Sequence, residues 1–98
     1  MRLHMDDHWQ SLTPDNVAAV PATTGVYQIA DDDTEVIATD YAGARSRFGL
    51  RGALQDWLPR TSEGAARFRY EIHNVYLSRY YELLMLYHAG NPAAADRG

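Results

Sequence analysis

Four prolines, at 14, 21, 59 and 92, punctuate this chain of 98 residues. A helix interior cannot run through any of them, because proline lacks the amide that a helix needs and its ring collides with the preceding turn. Helices are therefore confined to stretches between or beside these positions. Thr13-Pro14-Asp15-Asn16 reads as a helix start, with Thr13 capping open amides, Pro14 at the first helical position and Asp15 at the positive end. Val17-Ala18-Ala19-Val20 continues it and Pro21 stops it. Trp9 and Leu12 are expected to fold back onto the core as an N-terminal brace, and residues 22–25 form a turn.

Between the second and third prolines the period changes. Val26-Tyr27-Gln28-Ile29-Ala30 alternates apolar and polar, the pattern of a half-buried strand. Asp31-Asp32-Asp33-Thr34 is a turn, and residues 35–42 form a second strand that pairs with the first as an antiparallel hairpin and ends at Gly43. After an Arg- and Gly-containing loop, Leu50, Ala53, Leu54, Trp57 and Leu58 fall at i, i+3, i+4, i+7 and i+8. That is one buried helical face over residues 50–58, closed by Pro59. Gly52 within it weakens a helix by about 1 kcal/mol relative to alanine, which points to close packing or to a later start. Thr61-Ser62-Glu63-Gly64 is a loop.

A third strand follows, with Phe68, Tyr70 and Ile72 on one side and Arg67, Arg69 and Glu71 on the other. Residues 75–89 make the longest helix, rich in Tyr and Leu, with Gly90 at the C-cap and Pro92 beyond it. The order α-β-β-α-β-α predicts an α+β fold, a small three-stranded antiparallel sheet with flanking helices. Length predicts a single domain: residues 1–21 as brace and short helix, 22–92 as core, 93–98 as a frayed tail.

Composition excludes several classes. The 46% hydrophobic share is too high for a disordered chain. The lack of cysteine excludes a disulfide scaffold, a zinc ribbon and a thiol nucleophile. No apolar run approaches a membrane span, and the start, Met1-Arg2-Leu3-His4-Met5-Asp6-Asp7, is too polar and acidic for a signal peptide, so the expected location is the cytoplasm. His4 and His8 stand four apart, but on a terminus read as frayed.

The net charge of −4 conceals an asymmetry: residues 1–40 hold Arg2 against eight acids, whereas residues 41–98 hold eight arginines against five acids. There is no lysine. Arginine's planar, permanently charged fork suits carboxylates and phosphates. A polyanionic partner is thus compatible with the negative total, although a solvated charged surface accounts for the same pattern.

Four features stand out once the elements are placed: Tyr27 in Gly25-Val26-Tyr27, Tyr41 in Tyr41-Ala42-Gly43, the nearby arginines, and Glu82 in the last helix. Each alone has an ordinary explanation, since tyrosine favours strands and a helical glutamate usually faces solvent. In combination, Gly25-Val26-Tyr27, Tyr41-Ala42-Gly43, Arg51 and Glu82 resemble the GIY-YIG endonuclease family over roughly residues 21–92. The resemblance implies a metal-dependent phosphodiesterase acting on DNA. In that family the two motifs lie on the first two strands of a small β-β-α-β-α domain, an arginine stands on the following helix, and a glutamate on a later helix holds one divalent metal.

Carried over, Tyr27 and Tyr41 position and activate water, Arg51 stabilises charge on the phosphoryl group, and Glu82 binds Mg²⁺ or Mn²⁺. Arg45, Arg47, Arg67 and Arg69 become phosphate contacts. Ala42 departs from the family's aliphatic residue, and the gap between motifs is longer than usual. Ungapped counting from Tyr41 places Arg51 at the family's arginine; aligning Leu50 and Leu54 instead places Ala53 there and Trp57 where a helper histidine often stands. Asn91 is a loose match to a downstream asparagine. The rival expectation is a catalytically degenerate module of the same fold that binds nucleic acid or a protein partner. It draws on the lack of a separate DNA-binding domain in these 98 residues and on the acidic front, which repels a duplex. A partner supplying target recognition fits either reading.

Overall fold

A computed structural model of the chain describes residues 8–43 and 46–90. Its elements are β1 (Gln10–Ser11), α1 (Pro14–Ala18), β2 (Gly25–Ala30), β3 (Val36–Ala42), α2 (Gly49–Gln55), a 3-10 helix (Leu58–Glu63), β4 (Arg67–Ile72) and α3 (Tyr76–Gly90). The strands form one antiparallel sheet in the order β1-β4-β2-β3, so the fold is α+β as expected, with one strand more than the three anticipated. The added strand, β1, is two residues long and pairs Gln10 with Phe68 and Ser11 with Arg67. So short a segment has no period to read; it exists because β4 offers it an edge.

α1 starts as its sequence dictates: Thr13 Oγ1 accepts the Asn16 amide at 3.2 Å, and Pro14 occupies the first turn. β2 is central and buried along its whole length rather than half-buried. The cause is that helices cover both faces of the sheet. On one face, Tyr27, Ile29, Ala42 and Phe68 meet Val17 and Val20 near α1 and Leu50 and Leu54 of α2. On the other, Val26 packs with Leu83 of α3, flanked by Tyr76 and Tyr80.

α2 is shorter than its apolar spacing suggested. It ends at Gln55, and after a turn the chain continues as a 3-10 helix with Pro59 in its first turn, where a loop was expected. Proline's fixed φ suits an opening helical position, so Pro59 begins one element as well as ending another. The predicted face holds nevertheless: Leu50 and Leu54 are buried, and Ala53, Trp57 and Leu58 pack beside them. Two glycines are required by close approach. A Cβ at Gly25 would lie 2.1 Å from the Glu71 carbonyl oxygen and 2.8 Å from Leu50 Cδ1. One at Gly52 would lie 1.9 Å from the Arg47 carbonyl oxygen, which accounts for a glycine inside α2.

The alternation of β4 holds only in part. Phe68 is fully buried, but Ile72 is 52% exposed, while Glu71 on the nominally polar side is only 4% exposed. α3 covers the Glu71 side and supplies a charged partner, whereas Ile72 sits at the end of the strand. No helix among the described residues is long and apolar enough to cross a membrane.

Candidate functional site

Tyr27 stands on the central strand and faces α2. Its ring is buried, and its hydroxyl accepts a hydrogen bond from Trp57 Nε1 at 3.3 Å. Burial pushes the phenol pKa above its ordinary value of 10.0, with Asp40 and Asp56 adding to the rise and the Trp57 hydrogen bond opposing it. A tyrosine so placed stays protonated at neutral pH and is no base. The Arg60 guanidinium lies 4.5 Å from the Trp57 ring centre, and Ile37, Trp57, Arg60, Glu63 and Ala65 line a cleft of about 180 Å³.

Tyr41 faces the other way. In the β2–β3 ladder it stands opposite Val26, while Tyr27 stands opposite Asp40. Directly paired residues share a face and successive residues alternate, so the two tyrosines lie on opposite sides of the sheet. Tyr41 belongs to an aromatic cluster with α3: its ring stacks on Tyr76 at 5.6 Å and meets Tyr80 edge-on at 5.0 Å, and Tyr80 continues to Tyr81 at 5.3 Å. Burial, followed by the charge of Asp40, raises the Tyr80 pKa above 10.0.

Glu82 lies on the Tyr41 side but is already engaged, because Arg79 Nη1 donates to its Oε1. Arg79 also grips Glu71 with two hydrogen bonds, Nε to Oε1 at 2.8 Å and Nη2 to Oε2 at 3.2 Å, and His73 Nε2 lies 3.0 Å from the same Oε1. Arg79 is 7% exposed, and its hydrogen bonds with Glu71 push its pKa further up. The positive charge between the two carboxylates is thus supplied by a guanidinium. A Mg²⁺ or Mn²⁺ ion on Glu82 does not fit this arrangement, because it would have to share the carboxylate with the Arg79 guanidinium or displace it. Among the described residues no group of three or more His, Asp or Glu is placed to hold a metal.

The arginines disperse. Arg51 turns back towards α1, its Nε donating to the Val20 carbonyl at 2.8 Å. Arg47 lies 5.4 Å from the ring centre of exposed Phe48. Arg69 donates from Nε to Gln28 Oε1 at 2.9 Å and covers the Trp9 ring at 4.2 Å, while Arg67 Nη2 reaches the Asp32 carbonyl at 3.5 Å. Arg45 and Asn91 lie outside the described residues. Of the candidate catalytic groups, Tyr27 and Arg51 are on the α2 side and Tyr41 and Glu82 on the α3 side; the four are not gathered at one place. Ala53, the other arginine-register candidate, lines a groove of about 460 Å³ with Ser46, Arg47, Phe48 and Asp56, and Trp57 is the partner of Tyr27.

A family model described as a domain of unknown function, DUF7508, matches residues 1–90. The chain belongs to the DUF7508 family. No curated protein matches it, and no solved structure does. In this DUF7508 chain the sequence reading overlooked the Glu71–Arg79 pair and the outer side of α3. The pair left no signal, because each residue looked like surface charge. The outer side did: Leu77, Tyr81 and Met85 recur at four-residue spacing and all are exposed, Met85 at 72%.

Proposed function

We propose that this domain is a protein-binding module on a GIY-YIG-like arrangement of elements, and that it does not hydrolyse DNA. The observation that carries the reading is the division of Tyr27 and Arg51 from Tyr41 and Glu82 by the sheet, with Arg51 and Glu82 held by internal partners. Phosphodiester cleavage needs water activation and charge stabilisation at a single phosphorus atom. Groups on opposite faces of a sheet cannot act together on one.

Exposed apolar surface favours a protein over a nucleic acid as the partner. Ile72, Val75, Leu77, Tyr81 and Met85 are all exposed in one stretch of chain. Of these, Leu77, Tyr81 and Met85 recur at four-residue spacing along one side of α3, and exposed apolar side chains grouped in this way mark interaction surfaces. Nucleic-acid binding calls instead for cations free along one track, whereas the described arginines lean on internal partners, Arg67 and Arg69 included although they share one side of β4. A cytoplasmic setting fits a chain without cysteine.

A plasmid nicking assay with Mg²⁺ and with Mn²⁺ tests the reading, comparing the wild type with Glu82→Ala and Tyr27→Phe. The expected outcome is the same background from all three proteins. Nicking by the wild type that both variants lose would establish the nuclease instead. Retention on single- and double-stranded DNA across a salt series is expected to show no salt-dependent affinity.

A further inference from the structure

We infer that the outer edge of β3 takes up an extended, basic segment of a partner protein as an added strand; this rests on the protein-binding reading above. β3 is the last strand of the sheet, with β2 on one side and no strand on the other among the described residues. It runs for seven residues without proline, and beyond the irregularity at Ile37 its regular part, Ala38 to Ala42, offers about 16 Å of edge. The opposite edge is formed by β1, only two residues long.

The backbone groups of alternate residues there turn outward from the sheet. The Tyr41 amide donates to the side chain of its own neighbour, Asp40 Oδ1, at 2.8 Å, so it points away from β2. Alternation along an antiparallel strand gives Thr39 the same outward direction. An added strand would hydrogen-bond to these groups and send successive side chains to opposite faces of the sheet. Both faces have something to receive them. On one, Ile37, Trp57, Arg60, Glu63 and Ala65 line the cleft of about 180 Å³. On the other, Tyr41 leads into the rings of Tyr80 and Tyr81.

Charge selects the occupant. Asp40 lies on the strand itself, and Asp32, Asp33 and Glu35 are exposed in the turn that leads into it. The cation on the cleft side, Arg60, leans on Trp57 at 4.5 Å and pairs with Glu63 at 3.6 Å. The edge therefore favours lysine and arginine. It disfavours a second copy of the chain, since antiparallel pairing of two β3 edges about Asp40 would set the two Asp40 side chains opposite each other between molecules of net charge −4 each.

The test uses the full chain and a fluorescent peptide of alternating lysine and valine, followed by anisotropy and by amide hydrogen exchange. The peptide should bind, protect the amides of Thr39 and Tyr41, and lose about tenfold in affinity to Asp40→Lys. Of two analogues N-methylated on complementary alternate residues, one should keep binding and the other lose it. Equal behaviour of the two analogues overturns strand addition, as does equal binding of a glutamate–valine peptide, protection confined to α3, or no binding. Protection of Thr39 and Tyr41 without peptide, in a chain that sediments as a dimer, replaces the basic partner by a second copy. Failure with the peptide leaves the binding-module reading standing; metal-dependent nicking lost in both variants removes that reading as well.

Discussion

Tyr41 stands across from Val26, and Tyr27 across from Asp40, so the two tyrosines of the β2–β3 hairpin are close along the chain and yet divided by the sheet. Tyr27 enters the core shared with α1 and α2, while Tyr41 stacks with Tyr76 and Tyr80 of α3. A single step of strand register would reverse the face of Tyr41. The chemistry open to the domain depends on that step.

The buried Tyr27 hydroxyl should make stability fall at alkaline pH. Its pKa is raised on folding because burial disfavours the phenolate. The folded state then holds the proton more tightly than the unfolded chain does, so this contribution is whole below about pH 10 and is lost as pH rises through the folded value. Urea unfolding at a series of pH values should show the decline, and Tyr27→Phe should flatten it. At neutral pH the same variant should lose about 1 kcal/mol, the usual net value of a hydrogen bond such as the one from Trp57.

Arg79 should be the most sensitive charged position. Arg79→Met leaves Glu71 buried without its bidentate partner, and removing one member of a buried pair costs about 3–5 kcal/mol. Glu82→Gln removes a partner with a 30% exposed side chain and should cost less than about 1 kcal/mol. Equal losses in urea midpoints for the two variants would contradict this ordering.

Gly52→Ala separates local from tertiary effects by sign. Helix propensity alone predicts a gain of about 1 kcal/mol. The new Cβ would instead meet the Arg47 carbonyl oxygen at 1.9 Å, and overpacking of this kind costs about 1–3 kcal/mol. A lower melting temperature for Gly52→Ala is expected, and a higher one would refute the close approach of the 46–48 loop to α2.

The outer side of α3 should tolerate polar residues. Leu77 and Met85 are exposed, so Leu77→Ser and Met85→Ser should each change unfolding free energy by less than about 1 kcal/mol while lowering binding of a hydrophobic dye. Phe68→Ala, in the core, should cost about 3–5 kcal/mol in the same assay. A large loss at Leu77 or Met85 would mean that this side is covered.

Much of the architecture can be read from local pattern. Thr13 and Pro14 mark the start of α1, the spacing of Leu50, Leu54 and Trp57 marks the buried side of α2 and the turn beyond it, and Phe68 and Tyr70 mark the core side of β4. These are properties of neighbouring residues under a helical or strand period, and the fold keeps them. β1 is different, since Gln10 and Ser11 become a strand only beside β4. So is Glu71, which reads as a surface acid until Arg79, eight residues on, closes over it.

The residue types that a phosphate-handling site uses are written in the chain: two motif tyrosines, an arginine-bearing second half and a helical glutamate. Their arrangement is settled by register and packing. The irregularity between Ile29 and Ala30 shifts the β2–β3 pairing, and every side chain beyond it takes its face from that shift. Packing of α3 then places Arg79 between Glu71 and Glu82 and stacks Tyr41 against Tyr76. Composition and spacing set which side chains are available; non-local pairing sets which of them meet, because strand register and helix docking join residues that no local period connects.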